Sequence, residues 1–158
     1  MARTIGSNGE ETAARIRICA LKLIASRGFE AMSMRDLAAA VGVQSAALYH
    51  HFATKQALLA DLMISHMRDL LAAWQKACPD QVAGKTATPS HRLDAFARFH
   101  IRYHILRPQE VFIAYMELRS LSPTHYNAVS ELRRDYENLL KAILQDGVDN
   151  RSFQIDDI

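Results

Sequence analysis

Apolar side chains recur every three or four residues from Ala13 to Ile143, and a glycine or proline punctuates most of these runs before the next begins. That spacing gives a helix one inward face, whereas a half-buried strand needs strict alternation. Sustained alternation is absent, and no Asn-Gly or Asp-Gly turn lies between β-branched runs. The chain is therefore expected to be all-α.

The punctuation divides it into seven helices. Ala13, Ile16, Ala20, Leu23 and Ile24 form the inner stripe of the first, over residues 10–27, with Gly28 as its stop. Ser33 stands three residues before Asp36, a capping-box spacing that starts a short helix bearing Met34, Leu37 and Val41, closed by Gly42. Ser45 is placed to cap a third helix with Leu48 and Phe52 inward, and Thr54 a fourth running through Leu58, Leu62 and Leu70 towards Trp74 and ending at Pro79. Residues 79–90 read as a loop. A fifth helix occupies residues 89–106, and Pro108 starts a sixth passing through Phe112, Tyr115 and Leu118. After Ser122 and Pro123 a long seventh carries Val129, Leu132, Tyr136 and Ile143, with Gly147 expected to close it.

At 158 residues, 49% hydrophobic and 23% charged, the chain can bury a core and does not resemble a disordered one. No apolar run reaches the roughly 18 residues of a membrane span, and the first thirty residues carry charges where a signal peptide is apolar, so a cytoplasmic location is expected. Cys19 and Cys78 have neither the number nor the spacing of a disulfide framework or a zinc site. Charge is unevenly spread: residues 1–60 hold seven basic side chains against four acidic, and the rest of the chain twelve against thirteen. A basic first third on a near-neutral remainder suits two tasks, the first being contact with a polyanion.

The two short helices and the glycine turn between them have helix-turn-helix architecture. The second helix of such a pair enters the major groove, so its outer face needs small and hydrogen-bonding residues. Gln44, Ser45, Ala46, Tyr49 and His50 supply that face. Lys55 falls in the first turn of the next helix, where a cation opposes the helix dipole, and an external phosphate is the expected reason for it.

The segment 33–63, SMRDLAAAVGVQSAALYHHFATKQALLADLM, closely resembles the DNA-binding signature of the TetR family of transcriptional repressors. The resemblance rests on R-D-L-A-x-x-x-G-V, L-Y-x-x-F and F-x-x-K-x-x-L, with LIASRGFEAMSM before them. It implies a DNA-reading head at residues 1–53 and an effector-binding, dimerising body at 54–158. By position, Gln44, Ser45 and Ala46 would face bases, and Tyr49, His50, Lys55, Ser33 and Arg35 would hold phosphates. Many members carry a Lys or Arg where this chain has Ser45, so direct base reading here is expected to be thin. Arg3 either belongs to a disordered tag-like tail or reaches a neighbouring minor groove as basic arms do.

A ligand-responsive body needs a cavity of apolar and aromatic side chains with a few polar groups. Met63, Met67, Trp74, Phe96, Phe99, His100, Tyr103, Phe112, Tyr115 and Met116 could line one, though the same residues equally suit core packing. They favour a lipophilic effector, whose charged portion Arg98, Arg102, Arg107 or Arg119 could meet. The body segments AYMELRSLSP and LRRDYENLLKAILQDGV are similar to a TetR branch linked to lipid, steroid or acyl-coenzyme A breakdown, which implies a coenzyme A thioester as effector. The family usually continues through two further helices that form the homodimer interface, so the chain is expected to lack them.

His100 and His104 stand four apart, as two metal ligands can, but no third ligand is in register and neither metal nor cofactor is expected. No nucleophile or acid/base pair is recognisable, and the only cluster open to catalysis would be His100, His104 and Glu117. The expected function is a dimeric repressor that reads a palindromic operator and is released by an effector. The alternatives are a ligand-blind regulator, an activator or a helical interaction module.

Overall fold

The computed structural model describes residues 7–78, 81–82 and 85–158. Seven α-helices follow in chain order: α1 (Ser7–Arg27), α2 (Met34–Val41), α3 (Ser45–His51), α4 (Lys55–Ala77), α5 (Pro89–Ile105), α6 (Pro108–Met116) and α7 (Pro123–Asp149). Between α4 and α5 lie two two-residue strands, β1 (Gln81–Val82) and β2 (Lys85–Thr86), paired antiparallel with Gln81 opposite Thr86. The expected loop thus contains a short antiparallel strand pair, and the remaining elements among the described residues are helical. Pro79, expected to end α4, is outside the described residues, as is Arg3. No helix among the described residues is long and apolar enough to cross a membrane.

The caps follow from local chemistry. The Ser33 hydroxyl accepts the Asp36 N–H at 3.1 Å and donates to the Asp36 carboxylate at 2.6 Å, while the Ser33 N–H donates to that carboxylate, completing a capping box. These bonds, the hydroxyl's first, hold Asp36 below the usual aspartate range. Gly42 closes α2 at φ 78, a left-handed conformation that disfavours a Cβ. Thr54 caps α4 by accepting the Ala57 N–H at 2.9 Å. The expectation for Ser45 is corrected: Gln44 occupies the extended N-cap position without a side-chain bond, and Ser45 is already the first helical residue of α3.

The protein divides into two compact units. The first contains the described residues up to Ile64 together with Gln109–Asn127. Its fully buried side chains include Ile16, Ile24, Leu37, Leu48 and Leu58, matching the inward stripes read from the sequence for α1 to α4, and Ile113 of α6, where the sequence pattern points to Phe112 and Tyr115, which are exposed. Arg17 forms a two-pronged ion pair with Asp61, at 2.6 and 3.1 Å, and lies over the Phe52 ring, joining α1, α4 and the end of α3. Arg15 donates to the Val41 carbonyl at 2.6 Å, satisfying one of the open carbonyls at the end of α2.

The turn after α6 belongs to this unit as well. Instead of carrying α6 through Leu118, the chain breaks at Glu117 into a 3-10 turn, Leu118–Ser120. Glu117 has one distant and one local partner: its carboxylate accepts the Phe29 N–H at 2.9 Å and the Ser120 hydroxyl at 2.7 Å. The Gln56 amide donates to the Ser120 carbonyl at 2.6 Å and accepts the Ser122 N–H at 3.0 Å.

The second unit, Ser65–Pro108 with Ala128–Ile158, is built on an aromatic core. Trp74 meets Phe96 edge-on at 5.0 Å, and Phe96 stacks on Tyr136 at 5.2 Å, with Met67, Leu70, Tyr103 and Ile143 buried in the same cluster. Gly147 does not close α7, correcting that expectation. It is buried inside the helix because the Phe153 ring lies where a Cβ would stand. The helix ends two residues later in a Schellman arrangement, with Ser152 N–H on the Gly147 carbonyl and Arg151 N–H on that of Val148. Arg151 takes the left-handed position at φ 62, where glycine is usual.

Two opposite effects follow at this helix end. Gly147→Ala is expected to displace Phe153 and destabilise the protein by about 1–3 kcal/mol, whereas Arg151→Gly is expected to stabilise it by up to about 1 kcal/mol, both read from denaturant midpoints. Separately, Gln56→Ala leaves the Ser120 carbonyl and Ser122 N–H without that side chain, and a loss of about 1–3 kcal/mol should appear in the same titration.

Candidate nucleic-acid interface and effector region

The recognition face is built on α3, a helix of 7 residues. Leu48 is fully buried and Phe52 nearly so, which fixes the rotation of the helix. Gln44, Ala46, Tyr49 and His50 are consequently exposed, Tyr49 at 49%, and Ser45 is half-buried. The sequence-predicted base-facing residues thus share the first turn of one short helix, with Tyr49 and His50 one turn on. Arg35 is exposed in the first turn of α2, and the Ser33 hydroxyl is committed to the capping box. On this surface Gln44, Ser45, Tyr49 and His50 carry hydrogen-bonding groups and Ala46 and Ala47 do not.

Lys55 has partners within the protein. Its ammonium donates to the Glu30 carbonyl at 3.1 Å and sits 4.2 Å above the centre of the Phe29 ring. The expectation that only an external anion explains a cation here is corrected, because a carbonyl and an aromatic face together hold it. Both partners lie in the connection between α1 and α2, about 25 residues upstream, and no local pattern around Lys55 points to them.

The ten effector candidates fall in different places. Met67, Trp74, Phe96 and Tyr103 are buried in the second unit's core, with Phe99 packed against them, and His100 accompanies them through a 3.2 Å hydrogen bond to the Tyr136 hydroxyl. Met63, Phe112, Tyr115 and Met116 belong to the first unit. Met63 is buried there, while Phe112, Tyr115 and Met116 are exposed, the latter two beside Arg119 and Tyr126 along a groove of about 420 Å³. The second unit has a groove of its own, of about 350 Å³, along α5.

Three histidines gather in the second unit. The rings of His100 and His104 are 4.0 Å apart, and His66 of α4, nearly buried, lies 6.2 Å from His104. Sequence spacing missed His66 because it stands on another helix. Among the described residues no group of three His, Cys, Asp or Glu side chains is arranged to hold a metal ion. Glu117, grouped with His100 and His104 from sequence, spends its carboxylate on Phe29 and Ser120 in the first unit. Desolvation, and then the neighbouring His104, push the His100 imidazole below its ordinary value. The folded protein therefore disfavours protonated His100 more than the unfolded chain does. Stability should fall as pH drops through the ordinary histidine value towards the lowered one. Thermal melts between pH 7.5 and 5.5 are expected to show that decline, and His100→Gln to flatten it.

Residues 19–62 match the sequence model described as "Bacterial regulatory proteins, tetR family", and residues 86–158 match "Tetracyclin repressor-like, C-terminal domain". The HTH-type transcriptional repressor KstR2 of Rhodococcus jostii is 26% identical over 156 residues, covering 97% of this chain and 72% of that protein. The structure of the TetR family transcriptional regulator PfmR from Thermus thermophilus superposes with a TM-score of 0.80 at 36% identity, over 90% of this chain and 75% of that one. That of AibR, determined in complex with isovaleryl coenzyme A and operator DNA, gives 0.75 at 26% identity, over 93% and 76%.

Proposed function

Since the chain belongs to the TetR family of bacterial regulatory proteins, whose members are DNA-binding regulators rather than enzymes, we propose that it is a cytoplasmic transcriptional repressor. It works as a homodimer on a palindromic operator and is released by a small lipophilic or acyl-coenzyme A-like effector. The observation that carries this reading is the exposed face of α3, fixed by buried Leu48 and set against a capped α2. In this reading residues 1–53 are the DNA-binding head and 54–158 the effector-binding and dimerising body.

Gln44, Ser45 and Ala46 approach base edges, and Tyr49, His50 and Arg35 contact phosphates, whereas Ser33, expected from sequence among the phosphate contacts, spends both its donors on Asp36. Lys55 adds positive charge near the backbone while remaining seated on Phe29. Two heads must stand about 34 Å apart, one turn of DNA, to read both halves of a palindrome. An effector releases the operator by favouring a state in which that separation no longer fits, for which about 1–3 kcal/mol of coupling is typical. The Gln56 and Glu117 hydrogen bonds suit this task, because they tie the turn after α6 to the unit that carries α3. A coenzyme A thioester is supported as the effector class by AibR, whose structure holds isovaleryl coenzyme A together with operator DNA.

Selection from a random duplex library followed by sequencing tests the reading, with an inverted repeat as the expected product. Enrichment of nothing above background would overturn it. On the selected duplex, Tyr49→Ala is expected to weaken binding about tenfold, a charge-assisted hydrogen bond's worth. Lys55→Ala should lower the slope of log K against log salt by about one.

A further inference from the structure

The groove of the first unit is lined by five residues: Tyr115 and Met116 from the end of α6, Leu118 and Arg119 from the 3-10 turn, and Tyr126 from the start of α7. Ile113 and Ala114, just before them on α6, are buried, so the core of the unit does not need the groove residues. Tyr115, Met116 and Tyr126 leave large apolar surfaces open around about 420 Å³. Arg119 is the one charged residue of the lining, and it is exposed. Arg17, Arg92 and Arg98 each hold a carboxylate, and Arg107 lies on a ring. Among the described residues the Arg119 guanidinium has no such partner. Glu117, the nearest acid in sequence, is not paired with it, because its two carboxylate oxygens are taken by the Phe29 N–H and the Ser120 hydroxyl.

We propose that this groove binds a small, flat aromatic carboxylate, its ring against Tyr115, Met116 and Tyr126 and its carboxylate on Arg119. Two tyrosine rings and a thioether favour a flat, polarisable guest, because ring edges and faces attract one another and sulfur prefers a ring edge. The open guanidinium offers parallel N–H groups that match the two oxygens of one carboxylate. A single cation suits a single negative charge, whereas a molecule with several phosphates would bring more charge than this lining can meet. The volume is that of a site for one small molecule. Met116, Leu118 and Arg119 flank Glu117, whose bond to Phe29 holds this turn in the unit, so a ligand seated here rests on that same turn. Its binding depends neither on DNA nor on the effector class given above.

Met116 is one of six methionines, so methyl resonances of the full chain labelled at methionine report on the groove, with Met116→Leu assigning the relevant one. Titration with 2-naphthoate is expected to move the Met116 methyl saturably, through the ring current of the naphthyl group, and to leave those of buried Met63 and Met67 in place. 2-Naphthalenemethanol, which has the ring without the charge, and octanoate, which has the charge without the ring, should each bind at least tenfold more weakly. Arg119→Gln removes an exposed side chain and should keep the thermal midpoint while losing at least tenfold in affinity. Arg119→Lys, which keeps the charge and loses the fork, should recover only part of that loss. Tyr126→Leu, which replaces a flat face, should weaken binding as well. No saturable movement of the Met116 methyl, or movement at Met67 in its place, would overturn the proposal. So would unchanged affinity in Arg119→Gln, or equal binding of the alcohol or of octanoate. Any of these results leaves the repressor reading standing, since the duplex selection tests that reading on its own.

Discussion

Two side chains make the first unit a unit. Gln56 and Glu117 bond to backbone groups of segments that lie 64 to 88 residues away in sequence, and through them the turn between α6 and α7 is held to the helices that carry the recognition face. Apolar contact alone would tolerate sliding, since dispersion and solvent exclusion are non-directional. The hydrogen bonds do not. Gln56 uses its donor and its acceptor at once, and Glu117 receives one backbone and one hydroxyl proton, so each amide or carboxylate fixes a position and an orientation. The Arg17–Asp61 pair does the same between α1 and α4, where the two-pronged geometry sets rotation as well as distance.

The helix-turn-helix was legible because its determinants are local. A serine three residues before an aspartate, a glycine at the left-handed position, and Leu48 and Phe52 one turn apart are short-range signals, and the structure realises each of them. The errors were also local signals, overruled from a distance. Lys55 looked unexplained because its partners, the Glu30 carbonyl and the Phe29 ring, lie in another connection. Gly147 looked like a helix stop because glycine usually is one, yet its smallness serves the Phe153 ring, and an arginine takes the left-handed position in its stead. Ser45 had the chemistry of a cap, but the chain becomes helical one residue too early for it to act as one.

The effector region was less legible. An aromatic residue at helical spacing has the same pattern whether it packs a core or faces a guest, and Trp74, Phe96 and Tyr136 turn out to pack on one another. Phe112, Tyr115 and Met116 carry the same signal and are exposed. Arg98, Arg102 and Arg107, named from the sequence together with Arg119 for an effector's charged portion, border a common groove along α5, whereas Arg119 lies beside Tyr115 and Met116 in the first unit.

The close of α7 has a dynamic consequence. Helices ordinarily fray from their ends, because the last four carbonyls have no partners and the final amides open first. Here the amides of Asn150, Arg151, Ser152 and Phe153 all donate back into the last turn, the Asn150 side chain takes a second bond from Ser152, and the Phe153 ring covers the backbone at Gly147. Amide protons at this terminus are therefore expected to exchange with solvent more slowly than those of an ordinary helix end.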